Sequence, residues 1–111
     1  MVIEQFADAP ATAFVPAFDA LMWPTLQALK AMGGSGTNEE LLAKVIEVAD
    51  IPPAVQSVQH TDNRQSKVNY NLAWAKTYLK KVAAIDNSSR GVWSITKLGE
   101  SLTPTDVALV P

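Results

Sequence analysis

Positively charged side chains gather in the second half of the sequence, between positions 64 and 98. Seven of the nine Lys and Arg residues lie in this segment, and Asp86 is the only acidic residue among them. The segment has a net charge of +6, whereas the rest of the chain, with two cationic and ten acidic residues, has −8. The overall charge of −2 therefore hides a strongly polarised molecule. Such a cluster of cations suits a polyanion, such as the phosphate backbone of a nucleic acid.

Polar and aromatic side chains accompany these cations. We expect four cations to neutralise phosphates, namely Lys67, Lys80, Lys81 and Arg90, so affinity would fall as the salt concentration rises. Asn71 and Thr77 could meet base edges, and Asn suits adenine because its amide both donates and accepts. Tyr70 could stack on a base or bind a phosphate, and Arg90 could reach a minor groove or the backbone. The candidate DNA-binding residues are Arg64, Lys67, Asn69, Tyr70, Asn71, Thr77, Lys80, Lys81, Ser89 and Arg90.

Catalytic and metal-ligating patterns are not found in the sequence. The chain has no Cys, which excludes disulfides, thiolate zinc sites and Cys nucleophiles. His60, the single His, lies beside Thr61 and Asp62 and is expected to be exposed or locally hydrogen-bonded. The tripeptide Gln65-Ser66-Lys67 resembles half of a metal-dependent nuclease motif, but that motif belongs on a strand beside an acid, and here it precedes a helix. We therefore expect no catalytic residue, metal or cofactor in this chain.

Apolar spacing predicts three helices that would position the cationic segment. The first helix covers about residues 16–32, and GSGT at 34–37 is expected to be a turn. The second helix is capped by Thr37 or Asn38 and stops before Pro52. Its predicted buried stripe is Leu42, Val45, Ile46 and Ala49. The third and longest helix covers residues 66–84, and its predicted buried stripe is Val68, Leu72, Ala75, Leu79 and Val82.

A hairpin is predicted after the long helix. Residues 86–94 alternate around a Ser-Ser-Arg-Gly tip, and Thr96 is expected to cap a last helical turn. Three helices followed by a hairpin predict a mainly α fold with a small β-hairpin, the winged helix-turn-helix, over residues 14–103. Residues 1–13 are expected to form a flexible arm, and residues 104–111 a tail or a linker to a missing domain. Trp74 could pack beneath the hairpin or serve as a base-stacking platform, and packing is the favoured prediction; Trp23 and Trp93 are predicted to lie mainly in the core.

Length and hydropathy indicate one small domain of 111 residues. No apolar run approaches the ~20 residues that a membrane-spanning helix needs, so we expect no membrane partner. The N-terminus is acidic where a signal peptide would be basic, so a cytoplasmic location is expected.

The sequence LAWAKTYLKKVAAI followed by RGVWSITKLG resembles the N-terminal winged-helix domain of Mrr-type restriction endonucleases. The resemblance covers roughly residues 14–102, and the first helix shares an early proline, Pro24. It implies a recognition module that belongs to a bacterial enzyme cleaving modified DNA, with the catalytic domain elsewhere in the parent protein. The family usually ends the long helix with Gly, where this chain has Ala83.

Two functions follow as hypotheses. In the first, the chain binds double-stranded DNA, either unmodified or modified, with helix 66–84 in the major groove and the wing, residues 86–94, on the backbone. In the alternative, the winged helix is a protein-interaction or dimerisation module without DNA binding, and a homo-oligomer is one form of it. The apolar tail residues 107–110 would then contact a second subunit.

Overall fold

The computed structural model describes residues 15–61 and 64–111, so the predicted arm at 1–13 lies outside the described residues. The elements are α1 (Phe18–Ala31), β1 (Ser35–Thr37), α2 (Asn38–Val48), α3 (Pro53–Gln56), α4 (Lys67–Lys81), β2 (Ile85–Ser89), β3 (Val92–Ile95), α5 (Lys97–Ser101) and α6 (Pro104–Ala108). This part of the chain is mainly helical with a small three-stranded antiparallel sheet. The predicted fold class is confirmed, and the order of elements is compatible with a winged helix.

Helix α1 runs through the centre of the core. Its apolar stripe, Leu21, Met22, Leu26 and Leu29, is fully buried. Thr25 is buried as well, and its hydroxyl donates to the Leu21 carbonyl at 2.7 Å, which satisfies the polar group inside the core. The helix stops at Gly33 and Gly34, whose φ angles of 84° and 110° are ones that glycine adopts without strain.

The sheet contains a strand that the sequence did not indicate. Residues 35–37, expected to be a turn, form β1, which pairs antiparallel with β3 so that Ser35 faces Ser94 and Thr37 faces Val92. Strand β2 pairs with the other edge of β3, and the sheet order is β1–β3–β2. The predicted hairpin is thus confirmed, but it is widened by a third strand that joins it to α1 and α2.

Helix α2 begins with a capping box. The Thr37 hydroxyl accepts from the Glu40 backbone N–H at 3.1 Å, and the Glu40 carboxylate accepts from the Thr37 N–H at 2.9 Å. The buried residues of the helix are Leu41 and Val45. Val45 of the predicted stripe is thus buried as expected, whereas the burial of Leu41 was not predicted. Leu42, Ile46 and Ala49 pack only partly buried against the core, because the helix is rotated so that Leu41 points inward.

Helix α4 packs lengthwise on α1, and the Ser66 hydroxyl caps it by accepting from the Asn69 N–H at 3.1 Å. Four members of the predicted stripe are buried, namely Val68, Leu72, Ala75 and Leu79. Val82 is 37% exposed, so its predicted burial was wrong. The reason is that the helix ends at Lys81 and the chain turns at Ala83, which takes a left-handed φ of 64° although it is not glycine.

The C-terminal helices α5 and α6 both pack against α1, and α5 also contacts β3. Thr96 caps α5 as predicted, because its hydroxyl accepts from the Gly99 N–H at 3.0 Å. Gly99 has no side chain to clash where its helix contacts the Ala84 carbonyl. The segment 104–111, expected to be a tail or linker, begins with α6, and Val107 in this helix is only 2% exposed. Trp23 and Trp93 pack partly buried against the core.

Candidate functional site

The loop that leads into α4 folds back on the helix. The Lys67 N–H donates to the Val58 carbonyl at 2.8 Å, and the His60 N–H donates to the Gln65 carbonyl at 2.9 Å. These bonds place the imidazole of His60 on the ring of Tyr70, with centroids 3.6 Å apart. The side chain of His60 is thus half-buried rather than exposed, and its Nδ1 is buried with no hydrogen-bond partner in the described part of the chain.

Candidate DNA-binding residues at the start of α4 are engaged within the protein. The ammonium of Lys67 lies 5.1 Å from the centre of the Tyr70 ring, at a distance where a cation and an aromatic face attract. The Asn71 amide donates to the Pro16 carbonyl at 2.8 Å, and the Asn69 amide donates to Gln65 Oε1 at 2.9 Å. Asn71 therefore links α4 to the residues that precede α1. Because its amide N–H is used in this bond, it is less able to donate to a base.

The second half of α4 presents side chains to solvent. The exposed residues are Ala73, Trp74, Thr77, Lys80 and Lys81. Trp74 is 46% exposed, so the prediction that it packs beneath the hairpin was wrong. Its position six residues after Val68 and two after Leu72 turns it away from the buried stripe. Thr77 is exposed as predicted, but its hydroxyl donates to the Ala73 carbonyl at 2.9 Å, within the helix.

A buried lysine joins α4 to the sheet and to α2. Lys76 is 7% exposed, and its ammonium donates to Asn38 Oδ1 at 2.9 Å. The same oxygen accepts from the Trp93 indole N–H at 2.7 Å, so one amide oxygen serves α4 and β3 together. Burial lowers the pKa of the Lys76 ammonium below its ordinary value. Lys76 was counted in the cationic segment but was not a candidate DNA-binding residue, and no local signal in the sequence marks its burial.

The hairpin lies beside the C-terminal end of α4. The ammonium of Lys80 is 5.9 Å from the centre of the Trp93 ring, which places this exposed cation against β3. At the tip, Gly91 takes a φ of 74°, which favours glycine, and Ser89 and Arg90 are exposed. Arg64 is exposed in the bend that precedes α4. The structure thus brings Lys80 next to the hairpin and leaves Arg90 at the hairpin tip.

Charges on α4 are all of one sign. The helix carries Lys67, Lys76, Lys80 and Lys81 and contains no Asp or Glu. Acidic side chains instead occupy α2, where Glu39 and Glu40 lie in the first turn and Glu47 pairs with Lys44 at 3.2 Å. Lysines in the last turn of α4 also face the negative end of the helix dipole, which stabilises the helix.

Metal-binding clusters are absent from the described residues, since no three His, Asp or Glu side chains lie together there. Among residues 15–61 and 64–111, no helix has both the length and the apolar character that crossing a bilayer requires.

These features define a small helical domain with a three-stranded sheet and a lysine-rich, acid-free helix beside a hairpin. The chain belongs to the Mrr N-terminal domain family, which it matches over residues 18–105. The match confirms the family resemblance and associates the chain with Mrr-type restriction enzymes. Comparisons with curated proteins and with solved structures gave no match.

Proposed function

We propose that this chain is a DNA-binding winged-helix module of an Mrr-like restriction endonuclease, acting in the cytoplasm of a bacterium. In this proposal α4 enters the major groove and the β2–β3 hairpin lies along the backbone. The module performs no chemistry of its own, and cleavage is assigned to another domain of the parent protein. Membership in the Mrr N-terminal domain family supports the proposal.

The observation that carries the proposal is the exposed second half of α4 next to the hairpin. Lys80 and Lys81 are exposed in the last turn, no acid shares the helix, and the Lys80 ammonium is 5.9 Å from the Trp93 ring on β3. The helix α4 and the hairpin meet beside these cations. This arrangement favours binding to duplex DNA, because the helix and the hairpin can contact the groove and the phosphate backbone together.

Each candidate residue takes a role from its surroundings. Lys80 and Lys81 bind phosphates through exposed ammonium groups, and Arg64, Ser89 and Arg90 contact the backbone from the bend and the wing tip. Thr77 lies on the face that meets base edges. Asn69, Tyr70 and Asn71 are held by Gln65, His60 and Pro16, and so contribute mainly by fixing the start of α4. Lys67 belongs with them, because its ammonium lies 5.1 Å from the centre of the Tyr70 ring.

A titration of a fluorescein-labelled duplex, followed by anisotropy, tests this function. The double variant Lys80→Ala/Lys81→Ala should lose on the order of tenfold affinity for each phosphate contact at about 0.1 M salt. The matched control is Lys30→Ala/Lys44→Ala, which removes the same charge from α1 and α2 and should change affinity far less. Equal losses in the two double variants, or no duplex binding by the parent chain at low salt, would overturn the proposal.

A protein-interaction module is the second candidate. Its support is the set of exposed large apolar side chains, Trp74, Val82, Leu98 and Leu109, of which Leu109 is 79% exposed. The apolar residues 107–110 give less support to this candidate, because Val107 is buried in the domain and is not available to a second subunit. Light scattering after size exclusion, at several protein concentrations, separates the candidates: association that grows with concentration, without duplex binding, favours this one.

A further inference from the structure

The geometry points to Trp74 as a specificity-determining residue that contacts the C5-methyl group of a pyrimidine in the major groove. This inference rests on the proposed DNA-binding function and assigns a base-reading residue within it. Trp74 is 46% exposed and is flanked on the same side of α4 by the exposed residues Ala73 and Thr77. An indole this exposed on a charged helix can offer a partner a large apolar contact surface.

The turn of α4 around Trp74 offers little hydrogen bonding to a base. The Thr77 hydroxyl donates to the Ala73 carbonyl at 2.9 Å, so it is already used inside the helix. One turn earlier, the Asn71 amide donates to the Pro16 carbonyl at 2.8 Å. What remains on this face is a methyl group, an indole and the methyl of a threonine. In the major groove the matching apolar feature is the C5-methyl group of thymine, or the same group on 5-methylcytosine.

Cations at helical spacing favour DNA over a protein as the partner of this indole. Lys81 lies seven residues after Trp74, so both project from the same face, about 10 Å apart along the helix axis. Thr77 lies between them on that face, and no Asp or Glu occurs on the helix. An apolar contact point with a lysine two turns away and no acid on the helix matches a methyl group at the groove floor with phosphates at the groove edge.

A four-duplex experiment isolates the methyl contact. The probes are an alternating A·T duplex, the same duplex with deoxyuridine for thymidine, an alternating G·C duplex, and the same duplex with 5-methylcytosine. The thymidine-to-deoxyuridine change removes the methyl group and leaves the hydrogen-bonding edge intact. Burying one methyl group corresponds to roughly fourfold in affinity, so the parent chain should prefer each methylated duplex by about that factor for each methyl group contacted.

Trp74→Ala should bind each methylated duplex and its unmethylated partner with the same affinity. Lys81→Ala serves as the control, because it should weaken all four interactions by one factor and keep the preference. A preference in only one pair identifies thymine or 5-methylcytosine as the source of the methyl group. The inference is overturned if the parent chain binds both members of each pair equally, or if Trp74→Ala keeps the preference. If the parent chain binds none of the four duplexes, the proposed DNA-binding function itself is wrong.

Discussion

The two halves of α4 use similar residue types in opposite ways. In the first half, Asn69, Tyr70 and Asn71 are bound to Gln65, His60 and Pro16. In the second half, Trp74, Lys80 and Lys81 are exposed, and Lys76 is the only lysine there that is buried. Both halves hold polar and aromatic side chains on a cationic helix, yet the first is fastened to the domain and the second is left for a partner.

This difference shows that polar composition alone does not locate a binding surface on a helix. The Asn71 amide stabilises the fold by donating to the Pro16 carbonyl just before α1. Without this bond, a carbonyl at a packed junction would lose its hydrogen-bond partner, which costs free energy. Lys80 and Lys81 in the last turn are exposed and interact favourably with the helix dipole, so they stay available to a polyanion.

Asn38→Ala should give the largest change in stability among the substitutions that probe this contrast. It removes the shared acceptor of the Lys76 ammonium and the Trp93 indole, and Lys76 is 7% exposed. A buried donor without a partner costs about 1–3 kcal/mol, so the free energy of unfolding should fall by that amount in urea denaturation. Asn69→Ala is the control and should cost less, since its amide meets only the Gln65 side chain. Equal costs for the two variants would show that Asn38 does not join α4 to the sheet.

Asn71→Ala should have a smaller effect, confined to stability. Losing the bond to the Pro16 carbonyl should cost about 1 kcal/mol, while duplex affinity measured under folding conditions stays unchanged. Trp74→Ala should do the reverse, because an exposed indole contributes little to the fold but meets DNA in our proposal. The pairing of urea denaturation with duplex titration on both variants tests this. If Asn71→Ala weakens DNA binding as much as Trp74→Ala does, the division of α4 into two halves is wrong.

Local patterns in the sequence predicted most of the fold. Apolar periodicity located α1, α2 and α4, and the Arg90-Gly91 tip located the hairpin. Strand β1 could not be found in this way, because three residues, Ser-Gly-Thr, form a strand only when β3 supplies their hydrogen-bond partners across the domain.

Side-chain environments at the candidate site were less predictable for the same reason. Lys76 and Asn71 lie on α4 like their exposed neighbours, and they become internal only through Asn38 and Pro16, which are distant in sequence. The exposure of Trp74 could have been predicted from helical spacing, because a residue two positions after Leu72 points away from the buried stripe. The preference of large aromatic residues for burial led to the wrong prediction there.

The salt dependence of duplex binding tests the central contrast most directly, by comparing Lys67→Ala with Lys81→Ala. Each phosphate contact contributes about 0.9 to the slope of log K against log salt concentration. We predict that Lys81→Ala lowers the magnitude of that slope by about one. Lys67→Ala, whose ammonium lies 5.1 Å from the Tyr70 ring, should leave the slope nearly unchanged. A slope that falls for Lys67→Ala and stays constant for Lys81→Ala would contradict the account.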